Sequence, residues 1–213
     1  MDLPLAEDLK QARARLARQD LFEVAYGLLS VRIPASGDAL FLAFDAPQAQ
    51  PESVGESRQS CEARALHAQI YRARADVGSI ATAGGKFTRA LADQDENLAP
   101  VFDEQVRHLG PFAHFARVGS PDSLRLALAG HGNVLAGKGT AIVLGVNCRR
   151  MVFNVELLEK CAKAFLLARA TGSPTSTIPW WVRRIAHGRL VREEKRAAAR
   201  FAAGLLPEDA KAY

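Results

Sequence analysis

Asp103, Glu104 and His108 form the densest group of chemically competent side chains in this 213-residue chain. Carboxylates and imidazoles can hold a divalent metal or exchange protons with a substrate. Their spacing of i, i+1 and i+5 argues against a shared site, because such positions do not line one helix face cleanly. Two lysines stand at glycine-rich bends: Lys86 follows Gly84-Gly85, and Lys138 lies between Gly137 and Gly139. A desolvated lysine can form a Schiff base with a carbonyl, although lysines at turns are mostly solvated. Cys61 has no neighbouring histidine in sequence to activate it, so it reads as a plain thiol. His131-Gly132 reads as a turn at a helix end.

The frame that would position these groups follows from hydrophobic periodicity. Residues 5–23 read as a helix, 26–33 and 39–44 as two strands around the turn 34–38, and 45–60 as a long polar loop. A helix from about Glu62 to Arg74 leads through a turn at Asp76 into the strand 77–82. Gly84-Gly85 then bends into a short helix. Residues 102–110 are ambiguous between helix and loop, and 112–118 suit a strand. Ser120-Pro121-Asp122 has the chemistry of a helix start. A hairpin pairs 133–136 with 140–145 around Gly137-Lys138-Gly139, and 149–171 is the most secure helix.

The tail is different in character. Residues 178–213 hold eight of the 28 Lys and Arg but only four of the 23 Asp and Glu, so the body is nearly neutral and the tail basic. Residues 181–204 read as a basic helix packed on its own protein or on a neighbouring subunit, its arginines solvated, with Glu193 and Glu194 interrupting the charge and Trp180 and Trp181 as packing anchors. Contact of this helix with nucleic acid or an acidic membrane surface is the lesser alternative. The acidic start, MDLPLAEDLK, lacks signal-peptide character. No apolar run is long enough to span a bilayer, and three scattered cysteines suggest neither a disulfide framework nor a zinc site. A cytoplasmic location is the expectation.

Three segments carry a resemblance: HAQIYRARADVGSI (67–80), LLSVRI (28–33), and TAIVLG (140–145) followed by VFNVELLEKCAKAFLLARATG (152–172). Their order and spacing resemble the class II aldolase/adducin family over roughly residues 5–172. The resemblance implies an α/β fold, a three-layer α/β/α domain around a mostly antiparallel sheet. The domain would cover 1–175, with 176–213 as a basic helical extension. It also implies a homo-oligomer, usually a tetramer, with sites between subunits. Active members hold a divalent metal, usually zinc, through three histidines, and the metal stabilises an enediolate.

Counted from His67 and from the closing helix, those ligand positions fall on Thr82, Gly84 and Gly139. None of the three replaces imidazole as a zinc ligand, so no cofactor is expected, and zinc only if the register is wrong. His131 lies too far ahead of Glu159 to serve as the third ligand. The family's catalytic glutamate falls on Ala63, with Glu62 one residue off as the catalytic candidate. Its Gly-Asn turn becomes Gly27-Leu28, and its phosphate loop falls near Ala43-Phe44-Asp45, where an acid would repel phosphate. Lys86, Lys138 and His108 remain as further pocket candidates. The expectation is a divergent, adducin-like pseudoenzyme that binds a small molecule or a protein. The alternative is a carbon–carbon lyase, of aldolase or decarboxylase type, acting on a small hydroxylated aldehyde or acid with rebuilt chemistry. Whether it is an enzyme stays open in the sequence, with the balance toward not.

Overall fold

The computed structural model describes residues 3–22, 27–46, 48–54, 62–94, 97–111, 114–117, 121–137, 139–172 and 176–208. In chain order the elements are α1 (Leu3–Ala17), β1 (Leu28–Arg32), β2 (Asp38–Ala43), β3 (Gln50–Ser53), α2 (Glu62–Ala73), β4 (Ser79–Ala83), α3 (Lys86–Asp93), α4 (Asp103–Leu109), β5 (His114–Arg117), α5 (Pro121–Ala129), β6 (Val134–Gly137), β7 (Thr140–Gly145), α6 (Cys148–Ala170) and α7 (Trp180–Ala202).

The seven strands form one sheet in the order β3-β2-β1-β4-β7-β6-β5. Every pairing is antiparallel except that of β5 with β6. The inner strands are buried on both faces and are therefore mostly apolar, as TAIVLG in β7 shows, with Ser30, Ser79, Thr82 and Thr140 as buried polar exceptions. Alternation assigns the side chains to two cores. Leu29, Val31, Leu42, Ala81, Ala83 and Val143 face α1, α3 and α6. Leu28, Phe41, Ile80, Ile142 and Leu144 face α2 and α5. The expected three-layer α/β/α architecture with a mostly antiparallel sheet is the observed one. Among the described residues, no helix is long and apolar enough to cross a membrane.

The structure differs from the sequence reading in three places. The loop expected over 45–60 contains β3, which pairs with β2 at the sheet edge. Its residues, Gln50 to Ser53, show no apolar alternation, and Pro51 is tolerated because an edge strand leaves one row of N–H groups unused. Residues 103–109 resolve as helix, with Asp103 and Glu104 in the first turn, where the helix dipole favours acids. The tryptophans of α7 do not pack within their own chain: Trp180 is 68% and Trp181 55% exposed. The inner face of α7 is filled instead by Ala186, Leu190, Ala197 and Phe201.

The two glutamates of α7 also turn inward. Glu193 lies at ion-pairing distance from Arg107 (2.7 Å) on α4 and Arg150 (2.9 Å) on α6. Glu194 is buried and meets Arg74 at 2.9 Å and the Nδ1 of His131 at 2.6 Å. Arg74 grips Asp76 with two parallel bonds of 2.8 and 2.7 Å and also reaches Gly132 O and Asn133. His131 is the expected turn residue, with φ 55° just beyond α5. It also tethers α7.

Candidate functional site

The candidate residues gather at the end of the sheet where β4 finishes and β7 begins. Leu28 pairs with Ala43 on one side and Thr82 on the other, and Thr82 pairs with Ile142. This single row brings together three stretches that are far apart in sequence. Thr82 shares the α2 side of the sheet with Ile80. Helix α2 turns His67 and Tyr71 toward it, because residues four apart share a face. The His67 Nε2 lies 2.9 Å from the Thr82 hydroxyl, and its Nδ1 lies 2.9 Å from the Ser30 hydroxyl. Ser30 in turn contacts the Tyr71 hydroxyl at 2.8 Å.

All four side chains are buried. Each ring nitrogen of His67 has a partner, so the neutral imidazole is satisfied with one nitrogen donating and the other accepting. Burial, with the nearby Arg64 charge, pushes the His67 pKa down to about 3. Burial drives the Tyr71 phenol up, against the Ser30 hydrogen bond and the Arg32 charge. Near neutral pH this network therefore holds no charge. Sequence reasoning used His67 only as a counting mark. The His-x-x-x-Tyr spacing on an apolar helix face was the signal that could have revealed the network.

Beyond Thr82 the chain makes its glycine bend. Gly84 has φ +152°, and a Cβ there would sit 2.7 Å from Thr88 Cγ2. A Cβ on Gly85 would lie 2.5 Å from Glu159 Oε1. At both positions a side chain would require these neighbours to move, and glycine avoids that. The crowding at Gly84 is caused by Thr88, and that at Gly85 by Glu159 of α6 together with Leu21. The Glu159 carboxylate accepts from Phe87 N and Thr88 N at 2.9 Å each, and from the Thr88 hydroxyl at 2.6 Å. An anion thus caps the N-terminus of α3, where the free N–H groups and the helix dipole favour it. Glu159→Ala is expected to lower stability by about 1–3 kcal/mol, because the N–H groups of Phe87 and Thr88 lose their acceptor. Urea unfolding measures this, and an unchanged midpoint would show that the cap contributes nothing.

The other sequence candidates are spread out. Gly139 lies in the β6–β7 turn at φ +60°, beside Thr140, whose hydroxyl donates to Ala83 O at 2.9 Å. It is therefore at the same sheet end as Thr82 and Gly84. Lys86 is exposed at the start of α3, its Nζ 5.2 Å from the Phe87 ring centroid. Glu62 is exposed in the first turn of α2. Phe44 and Asp45 are exposed at the far side of the row, with Phe44 edge-on to Phe22. Lys138 and Cys61 lie outside the described residues.

His108 is not part of this cluster. It sits at the opposite end of the sheet, in contact with Arg150 at the start of α6 and edge-on to Phe153. Burial, then the charges of Arg150 and Arg107, lower its pKa to about 3. Asp103 and Glu104 do not join it either. Asp103 accepts from Glu104 N in its own helix, and Glu104 pairs with Lys160 at 3.1 Å. The helical spacing noted in the sequence separates the three side chains.

The fold and this arrangement of elements match known proteins. The sequence profile of the Class II Aldolase and Adducin N-terminal domain matches residues 7–166. The chain belongs to the class II aldolase/adducin family. Among solved structures, YgbL from Escherichia coli superposes with a TM-score of 0.71 at 15% identity, covering 86% of this chain and 98% of that one. The L-fuculose-1-phosphate aldolase of Thermus thermophilus gives 0.65 at 19% identity, covering 81% and 99%. An aldolase II superfamily protein from Pseudomonas syringae gives 0.63 at 16% identity, covering 95% and 94%. At these identities the similarity concerns the fold. Comparison with curated protein sequences finds no match.

Class II aldolases typically use zinc, and the donor set at this sheet end can be tested against that ion. The counted ligand positions supply one hydroxyl and two glycines. The hydroxyl of Thr82 is committed to His67, and Gly84 has no room for an imidazole unless Thr88 moves. Zinc is bound by thiolate, imidazole or carboxylate. These three positions do not fit it. Among the described residues, no group of three His, Cys, Asp or Glu side chains is placed to hold a metal ion.

Proposed function

We propose that this class II aldolase/adducin family member works as a binding module without metal-dependent lyase chemistry. The observation that supports this most is the Thr82 hydroxyl, drawn inward by His67 at the first counted ligand position. The Gly84-Gly85 bend packed against Thr88 and Glu159 supports it further, because the sheet end is built for close packing there. A small molecule or a protein would be held without polarisation by zinc. In the same reading, residues 1–175 form the family domain, 176–213 form an appended helix, and the protein assembles as a homotetramer in the cytoplasm.

Elemental analysis of the purified, dialysed protein tests the proposal. The expected zinc content is far below one ion per chain. Addition of zinc is expected to leave the thermal midpoint unchanged, since an ion that binds only the folded state would raise it. One tightly held zinc per chain, removed by chelator with loss of stability, would overturn the proposal.

A further inference from the structure

The solvent face of α7 carries an inference that goes beyond a binding module of unspecified partner. At 100° per residue, Trp181, Arg184, Ile185, Arg189, Arg192, Lys195 and Arg196 fall within roughly 140° of one another. All seven are exposed. The opposite face holds Leu190, Glu194, Ala197 and Phe201, which are buried. The acids that interrupt the basic run in sequence are both spent inward, Glu193 on Arg107 and Arg150, Glu194 on Arg74 and His131. The outer face is left with cations alone. Among the described residues, Arg184, Arg189, Arg192, Lys195 and Arg196 form no ion pair. They span about 18 Å, with one or more per helical turn.

Two exposed indoles, Trp180 and Trp181, stand at one end of this track, with Ile185 53% exposed beside them. Tryptophans this exposed leave more than half of their surface available to a ligand. An aromatic platform leading into a cationic track is the arrangement that holds single strands, with bases stacked on rings and phosphates on arginines. A membrane surface is disfavoured by the same geometry. A helix lying in a bilayer interface buries its apolar face in lipid, and the apolar face of α7 is packed on the protein's own α4 and, through Phe201, against Arg32 and the chain at Gly78.

We infer that the outer face of α7 binds a single-stranded polynucleotide, with Arg184, Arg189, Arg192, Lys195 and Arg196 on the phosphates and the Trp180-Trp181 pair stacked on bases. The counterion release this implies makes binding steeply dependent on salt. The inference does not depend on whether the aldolase-like site holds zinc.

Fluorescence anisotropy of the full-length protein with labelled oligo(dT) and oligo(U) tests it. The expected result is binding at low salt whose log K falls linearly with log salt, by about 0.7 per phosphate neutralised. Binding should also quench the tryptophan fluorescence. Trp181→Ala is expected to weaken binding about 5- to 150-fold, the range for loss of one base stack. The combined charge reversal Arg184→Glu, Arg192→Glu and Arg196→Glu should abolish it. These surface changes should leave thermal stability nearly unchanged, which separates lost binding from lost folding. The difference between the two oligonucleotides tells RNA from DNA. No binding at low salt, binding that survives the reversal, or preferential retention on phosphatidylserine vesicles would each overturn the inference. So would an outer face buried between copies, seen as a change of oligomeric state in the reversal variant without any oligonucleotide affinity.

Discussion

Arg74→Met is expected to destabilise the protein by about 3–5 kcal/mol, the usual cost of removing one partner from a buried ionic cluster. Arg74 is the single cation at the centre of two carboxylates, Asp76 at 2.7 Å and Glu194 at 2.9 Å. Glu194 is almost wholly inaccessible, and burial already raises its carboxyl pKa against the pull of Arg74. Without the guanidinium, two buried acids are left close together, with Asn133 and the partly exposed His131 beside Glu194 and the Arg32 charge near Asp76. Because Glu194 belongs to α7 and Arg74 follows the last residue of α2, the loss should loosen the tail helix from the body first. For a domain of this size, about 3–5 kcal/mol corresponds to a fall of very roughly 6–20 °C in the thermal midpoint. Limited proteolysis should cut near residue 178 before the sheet core is attacked. Since all-apolar replacement of such clusters is often tolerated, the combination Arg74→Met, Asp76→Leu and Glu194→Leu should recover part of the loss. A single variant as stable as the parent would show that the cluster contributes no net stability.

The second large effect is acid sensitivity. His67 and His108 both have pKa values depressed from 6.5 to about 3 in the folded protein, chiefly by burial. Below pH 6.5 the unfolded chain takes up protons that the native imidazoles refuse. The stability these two groups provide is therefore complete above pH 6.5 and is lost as pH falls toward 3. Between pH 7.5 and 5.5 each fully buried imidazole accounts for about 1.4 kcal/mol. The solvent that reaches His108 reduces its share, so the expected loss is about 2 kcal/mol in all. Urea unfolding at the two pH values measures it. His108→Asn keeps an acceptor for Arg150 and removes one titration, so it should flatten the dependence by somewhat under half. Stability that is flat across this range would mean that both imidazoles titrate normally.

The physics of these two predictions explains where the candidate site was legible in the chain and where it was not. Counted in the sequence from His67 and the closing helix, the family's ligand positions are Thr82, Gly84 and Gly139. The structure places all three at one sheet end, because the β4–β7 pairing aligns Ala83 with Ala141. The role of His67 itself was not legible. It depends on Ser30, which pairing of β1 with β4 brings opposite Ile80, and no local pattern links residue 30 to residue 67. Glu159 was similarly invisible as a helix cap, since it acts on Phe87 and Thr88 more than 70 residues away.

Local order in this chain is written in short-range pattern. Apolar residues at helical spacing placed α2, α6 and α7, and apolar runs between turn residues placed β1, β2, β4 and β7, because periods of 3.6 and 2 act within a few residues. Net tail charge was readable as well. Which way each charge faces was decided only by the tertiary structure. Glu193 and Glu194 turn inward because Arg107 of α4, Arg150 of α6 and Arg74 just after α2 converge there, and a buried carboxylate needs such partners. The tryptophans, in the first turn of α7, lie ahead of the residues that fill its inner face and stay largely exposed. Composition states how much charge and apolar surface a helix has, whereas only packing determines which part of it meets water.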